Sequence, residues 1–77
     1  MRRYHEPIYV HAVRNRPVSF SWRNRHVAVD DVLDRWVARS RWWSDDETRV
    51  YLRLHTNRGA MEIYRSGASW FISRVAD

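Results

Sequence analysis

Arg49-Val50-Tyr51-Leu52-Arg53-Leu54-His55-Thr56-Asn57-Arg58-Gly59-Ala60-Met61-Glu62-Ile63-Tyr64 is the stretch that decides the fold. Val50, Leu52 and Leu54 fall on one side of a period-two alternation and Arg49, Tyr51, Arg53 and His55 on the other, the pattern of a strand with one face buried. Met61 and Ile63 resume the alternation after Asn57-Arg58-Gly59, where Asn and Gly favour a tight turn. A turn centred on Asn57-Arg58 pairs Leu54 with Met61, Leu52 with Ile63, Tyr51 with Tyr64 and Arg53 with Glu62. Apolar residues then meet on one face and aromatic or charged residues on the other, so turn and register agree. This register predicts a cross-strand ion pair between Arg53 and Glu62, contributing under about 1 kcal/mol at a sheet surface.

The same alternation extends outward from this hairpin. Val18, Phe20 and Trp22 alternate with Ser19 and Ser21, Ile8, Val10 and Ala12 give a first strand, and Trp70 with Ile72 gives a last one. Asn15 and Pro17, Arg23-Asn24 and Ser66-Gly67 separate these runs, and such short links make neighbours antiparallel. With Ser66-Gly67 central, Ile63 faces Trp70 and Met61 faces Ile72. Residues 25–39 admit two readings: Val32, Leu33, Trp36 and Val37 fit an amphipathic helix capped by Asp30 or Asp31, while Val27 and Val29 start a strand. The strand reading needs a phase slip between Val29 and Val32, which a β-bulge at Asp30-Asp31 supplies while bending the chain around a barrel. The bent strand is preferred, and in it Trp36 points inward. Residues 40–48, Ser-Arg-Trp-Trp-Ser-Asp-Asp-Glu-Thr, read as a polar loop with Trp42 and Trp43 at its mouth. The expected fold is all-β, one domain over 1–77: a six-stranded antiparallel meander forming a small, strongly bent sheet or an open SH3/OB-like barrel.

A chain of 77 residues without Cys has a thin core and neither disulfides nor thiolate metal sites to support it, so its five Trp must supply much of the buried surface. Three of them crowd into Trp36 and Arg41-Trp42-Trp43. All 14 basic residues are Arg, and the formal charge is +5. Arg forks suit phosphate and stack on rings, but complete loss of Lys fits the codon bias of a GC-rich genome better than selection for phosphate. The positive field is physical on either account. The absence of Cys, and of an apolar run after Met1-Arg2-Arg3 long enough for a signal peptide or membrane span, predicts a cytoplasmic protein with no membrane partner.

Reactive constellations are sparse. His5, His11, His26 and His55 have no metal-ligand spacing, and Asp45, Asp46 and Glu47 read as a solvated acidic loop. Gly59 and Gly67 are too few for a phosphate loop, and Asp30, Asp31 and Asp34 have no pocket to tune them. A non-enzymatic domain without metal, catalytic residues or small-molecule cofactor is expected. The stronger pattern is Arg49, Tyr51, Arg53 and His55 interleaved on one face beside Tyr64. Two readings stand: a stacking platform for single-stranded nucleic acid, or rings covering a second apolar cluster under arginine stems. Arg41, Trp42 and Trp43 join Arg49, Tyr51, Arg53 and Tyr64 as candidate binding residues, the tryptophans as anchors for a partner.

Pro7-Ile8-x-Val10, Pro17-Val18-x-Phe20-x-Trp22-Arg23, Val32-Leu33-Asp34-Arg35-Trp36, Arg41-Trp42-Trp43, Tyr51-x-Arg53-Leu54, Ile63-Tyr64-Arg65 and Trp70-Phe71-Ile72-x-Arg74-Val75-x-Asp77 span nearly the whole chain. Together they resemble a family of uncharacterised small domains found as short stand-alone proteins and at the C-terminus of Y-family polymerase-like proteins. These polymerase-like proteins belong to the mutagenic repair cassette of GC-rich bacteria. This chain has Asn24, Val50 and Ala76 where that family carries a turn Gly, a second Tyr and an aromatic. The resemblance implies a link to DNA repair or translesion synthesis without polymerase activity, with single-stranded DNA or a Y-family polymerase-like repair protein as partner. The alternative is a structural or oligomerising module that buries Trp36, Trp42 and Trp43 at a subunit contact.

Overall fold

The Asn57-Arg58 turn joins β4 (Asp45–Thr56) to β5 (Gly59–Ser66), and the pairs Leu54 with Met61, Leu52 with Ile63, Tyr51 with Tyr64 and Arg53 with Glu62 form as the alternation predicts. Gly59 takes the positive φ of 97° that the turn needs, and the Thr56 hydroxyl donates to the Gly59 carbonyl at 2.7 Å. This computed structural model describes residues 2–42 and 45–76, with 40–42 and 45–47 described by backbone alone. Around the hairpin lie β1 (Arg2–Val13), β2 (Arg16–Trp22), β3 (Arg25–Trp42) and β6 (Ser69–Val75). Each strand pairs antiparallel with the next, and β1 pairs with β6 to close the barrel. Among the described residues no helix is long and apolar enough to cross a membrane.

Residues 25–42 form one strand, so the bent-strand reading holds over the helix. The bend comes from two bulges rather than one: the pairing with β4 skips Asp30 and then Leu33. The second skip reverses the phase again, which puts Arg35 across from Leu52 and Trp36 across from Tyr51. Trp36 therefore lies on the outer face, not inward as the single-bulge reading expects. Leu33, the extra residue, is 53 % exposed. Val18 behaves likewise: β1 pairs His11 with Ser19 and Ala12 with Pro17, leaving Val18 outside the register while Pro17 turns inward.

Three further expectations are corrected. The polar loop over 40–48 is mostly strand, since Ser40 pairs with Glu47, Arg41 with Asp46 and Trp42 with Asp45. The last hairpin turns at Gly67-Ala68, not Ser66-Gly67, because Gly67 takes the positive φ of 61° at the first central position. Ile63 then faces Ile72, two residues beyond the expected partner, and Met61 faces Val75, three beyond because the pairing skips Ser73, so apolar residues still meet. Finally, the first turn is Arg14-Asn15, both at positive φ, ahead of Pro17.

The core is Ile8, Phe20, Val27, Leu52, Leu54, Met61, Ile63 and Ile72, all buried. Each large side chain so placed contributes about 1.5–3 kcal/mol of burial. Tyr4, Trp22 and Trp70 pack against this core from its ends. At one end Glu6 ties β1 to the β2–β3 turn: Arg23 donates from both Nε (2.9 Å) and Nη2 (2.6 Å) to its carboxylate, and Trp22 Nε1 donates at 3.1 Å. The Arg23 guanidinium also lies over the Tyr4 and Trp22 rings at 5.1 and 4.9 Å.

The bonds from Arg23, then Trp22, hold the Glu6 carboxyl below its ordinary value of 4.5. A depressed carboxylate contributes stability that is present above 4.5 and is lost as the pH falls below it toward the folded-state value. Urea midpoints of wild type and Glu6→Gln are expected to differ at neutral pH and converge in acid. A gap that persists below that range would show that the charge of Glu6 is not what holds the turn.

Candidate nucleic-acid interface

The outer face of the sheet is organised in register rows. Trp36 on β3, Tyr51 on β4, Tyr64 on β5 and Phe71 on β6 are direct cross-strand partners. Their rings stack in sequence: Trp36 on Tyr51 at 5.4 Å and 3°, Tyr51 against Tyr64 at 5.2 Å, Tyr64 on Phe71 at 5.1 Å. His5, from β1, continues the row by stacking on Phe71 at 5.1 Å and 2°, and its Nδ1 is hydrogen-bonded to the Tyr64 hydroxyl. Aromatic pairs of this kind contribute about 0.5–1.5 kcal/mol each beyond their buried area. The Arg49 guanidinium lies over the Tyr64 ring at 4.7 Å and donates to the Tyr51 hydroxyl at 3.4 Å.

The neighbouring row is charged, alternating from Asp34 through Arg53 and Glu62 to Arg74 across β3, β4, β5 and β6, with a second cation, Arg3, beside Arg74 on β1. Glu62 is buried at 4 % exposure, where it accepts from the Ser73 hydroxyl at 2.9 Å and meets Arg74 Nε at 3.6 Å. The expected Arg53–Glu62 ion pair does not form, although the two are cross-strand partners. Ser73, which the β5–β6 register skips at a bulge, brings its hydroxyl onto the carboxylate instead. Arg53 is exposed and makes no ion pair among the described residues.

A groove of about 460 Å³ runs along these two rows, lined by Trp36, Tyr51, Arg3, Arg53, Arg74 and Glu62 among others. Its lining comes from β1, β3, β4, β5 and β6. With Glu62 engaged by Arg74 and Ser73, the groove has a net positive wall beside two stacked rings. Rings offer π-faces to planar ligands and the guanidiniums offer forks to oxyanions.

Arg49, Tyr51, Arg53 and Tyr64 lie together on this face, as the alternation of β4 and β5 predicts. Tyr64 is 2 % exposed and supports the row from within, whereas Trp36, Tyr51 and Phe71 are half-buried and His5 is exposed. Trp43 lies outside the described residues, and of Arg41 and Trp42 only the backbone is described. His55 sits on the same side of β4 but is drawn to Asp30 at 3.7 Å. Sequence reasoning missed Arg3 and His5, on β1, whose pairing with β6 no short turn reveals, and Phe71 and Arg74, on β6, where the turn lies at Gly67-Ala68 and a bulge at Ser73 changes the phase. Trp36 it placed on the wrong face. Among the described residues no three His, Asp or Glu side chains gather as a metal ion requires.

The fold and this face define a small closed antiparallel barrel with an aromatic and basic outer surface. A family model for a domain of unknown function, DUF6504, matches residues 1–77, and the chain belongs to that family. No curated protein and no solved structure matches it.

Proposed function

We propose that this chain is a non-enzymatic accessory domain that holds single-stranded nucleic acid in the groove on the outer face of its sheet. The observation that carries the reading is the groove itself, with Trp36 stacked on Tyr51 along one side and Arg3, Arg53 and Arg74 along the other. Small β-barrels that bind single strands combine such rings, at about 1–3 kcal/mol per stacked base, with cations that follow the backbone. The resemblance to C-terminal appendages of Y-family polymerase-like proteins supports a role in DNA repair or translesion synthesis, where single strands are exposed.

Fluorescence anisotropy with a labelled oligothymidylate tests it. Affinity is expected to fall with salt at a log-log slope of about −2, the value for three neutralised phosphates at about 0.7 each on a single strand. Absence of binding at low salt and tens of micromolar protein, a range of roughly 5–7 kcal/mol, would end this reading.

A second reading, docking to a repair protein or to another copy of the chain, has its own observation. Beyond Val29, β3 pairs with β4 on one edge and with no strand on the other among the described residues. Leu33 and Val37 on this stretch are 53 % and 54 % exposed. Such an edge accepts an added strand. Sedimentation at high protein concentration separates the cases: a dimer that Val37→Lys dissolves supports self-association, and a monomer rules it out.

A further inference from the structure

The barrel interior opens at one end into a second cleft, on the opposite side of the sheet from the groove, where arginines join the apolar side chains. Arg35, Leu52, Ile63 and Ile72 form one interior row, and three of the four are fully in the core. The next row is Val37, Val50, Arg65 and Trp70. Two arginines thus share the strand phase of the interior at its open end, Arg35 exposed and Arg65 half-buried. Neither makes an ion pair among the described residues, and Arg65 instead rests 5.7 Å from the centre of the Trp70 ring. Arg16 completes the rim, held by Asp31 at 3.4 Å.

Between these groups lies a cleft of about 320 Å³ whose floor is Val32, Val50 and Leu52. The size is at the lower end of small-molecule sites, which combine an apolar floor with a few convergent polar groups. Two guanidiniums unmatched by carboxylates call for an oxyanion, and the aliphatic floor beside an indole calls for a flat apolar body. We propose that this mouth binds a free small organic anion: a carboxylate or phosphate monoester carried on a planar apolar group. The head lies between Arg35 and Arg65, and the body rests on Val50 and Leu52 against Trp70. The site stands on observations independent of the groove and does not require nucleic acid to bind there.

The test uses 1-naphthyl phosphate and 1-naphthoate as probes, with the neutral naphthalene-1-methanol as comparison, followed by amide shifts in two-dimensional NMR of the full chain. Both anions are expected to give saturable shifts centred on Arg35, Val50, Arg65 and Trp70, with the alcohol at least about tenfold weaker, as loss of one charge-assisted contact implies. Arg35→Gln and Arg65→Gln are each expected to weaken the phosphate by about tenfold or more, while Arg53→Gln, in the groove, leaves it unchanged. The spectra report folding of each variant, and Arg35→Gln, at an exposed position, decides the matter if Arg65→Gln unfolds. Shifts that fail to saturate, equal binding of anion and alcohol, or wild-type affinity in folded Arg35→Gln would each overturn the proposal.

Discussion

Replacing Tyr64 with alanine is expected to cost about 3–5 kcal/mol, the range for removing a large buried ring, out of the roughly 5–15 kcal/mol that holds a small domain folded. The ring is 2 % exposed and has Tyr51 on one side, Phe71 on the other and the Arg49 guanidinium above. Its removal takes the middle out of the row that spans the outer sheet and leaves the His5 Nδ1 without its hydroxyl partner. Tyr64→Phe keeps the ring and loses the hydroxyl's bond to His5, for about 0.5–1.5 kcal/mol. Urea denaturation of the two variants distinguishes them. An alanine variant no less stable than the phenylalanine variant would mean that the row is decoration on a sheet held by the inner core alone.

Trp36→Ala is expected to have the largest effect on binding. Loss of one stacked base at about 1–3 kcal/mol weakens oligothymidylate by about 5- to 150-fold in anisotropy titrations. Trp36 is half-buried and at the end of its row, so the rings from Tyr51 to His5 keep their contacts. Arg53→Gln acts differently. It removes one phosphate contact, so the salt slope drops by about 0.7 and every sequence is weakened alike. If both variants bind as the wild type does, the groove is not where the strand lies.

Which parts of this arrangement could be read beforehand follows from where the register is set. Along β4 and β5 the turn at Asn57-Arg58 and two agreeing faces leave one solution, and the face of Arg49, Tyr51, Arg53 and Tyr64 came with it. Along β3 a phase slip was visible between Val29 and Val32, but the second bulge falls on Leu33, an apolar residue with nothing in its character to mark it as the extra one. That one residue decides whether Trp36 is core or surface, and whether Arg35 is surface or barrel mouth. Closure between β1 and β6 joins residues such as Glu6 and Ile72 from opposite ends of the chain, with no turn to announce the pairing. His5 and Arg3 could therefore not be assigned to the site from alternation alone, and on β6 the bulge at Ser73 hid the phase of Arg74.

The central claim is that single-stranded nucleic acid lies along the outer aromatic row. Mapping amide shifts over the full chain as unlabelled oligothymidylate is added at low salt tests it most directly. The account predicts saturable shifts on Arg3, Trp36, Tyr51, Arg53, Phe71 and Arg74, with Arg35, Arg65 and Trp70 at the barrel mouth unmoved. Shifts confined to the mouth or to the free edge of β3, or no shifts at all, would contradict it.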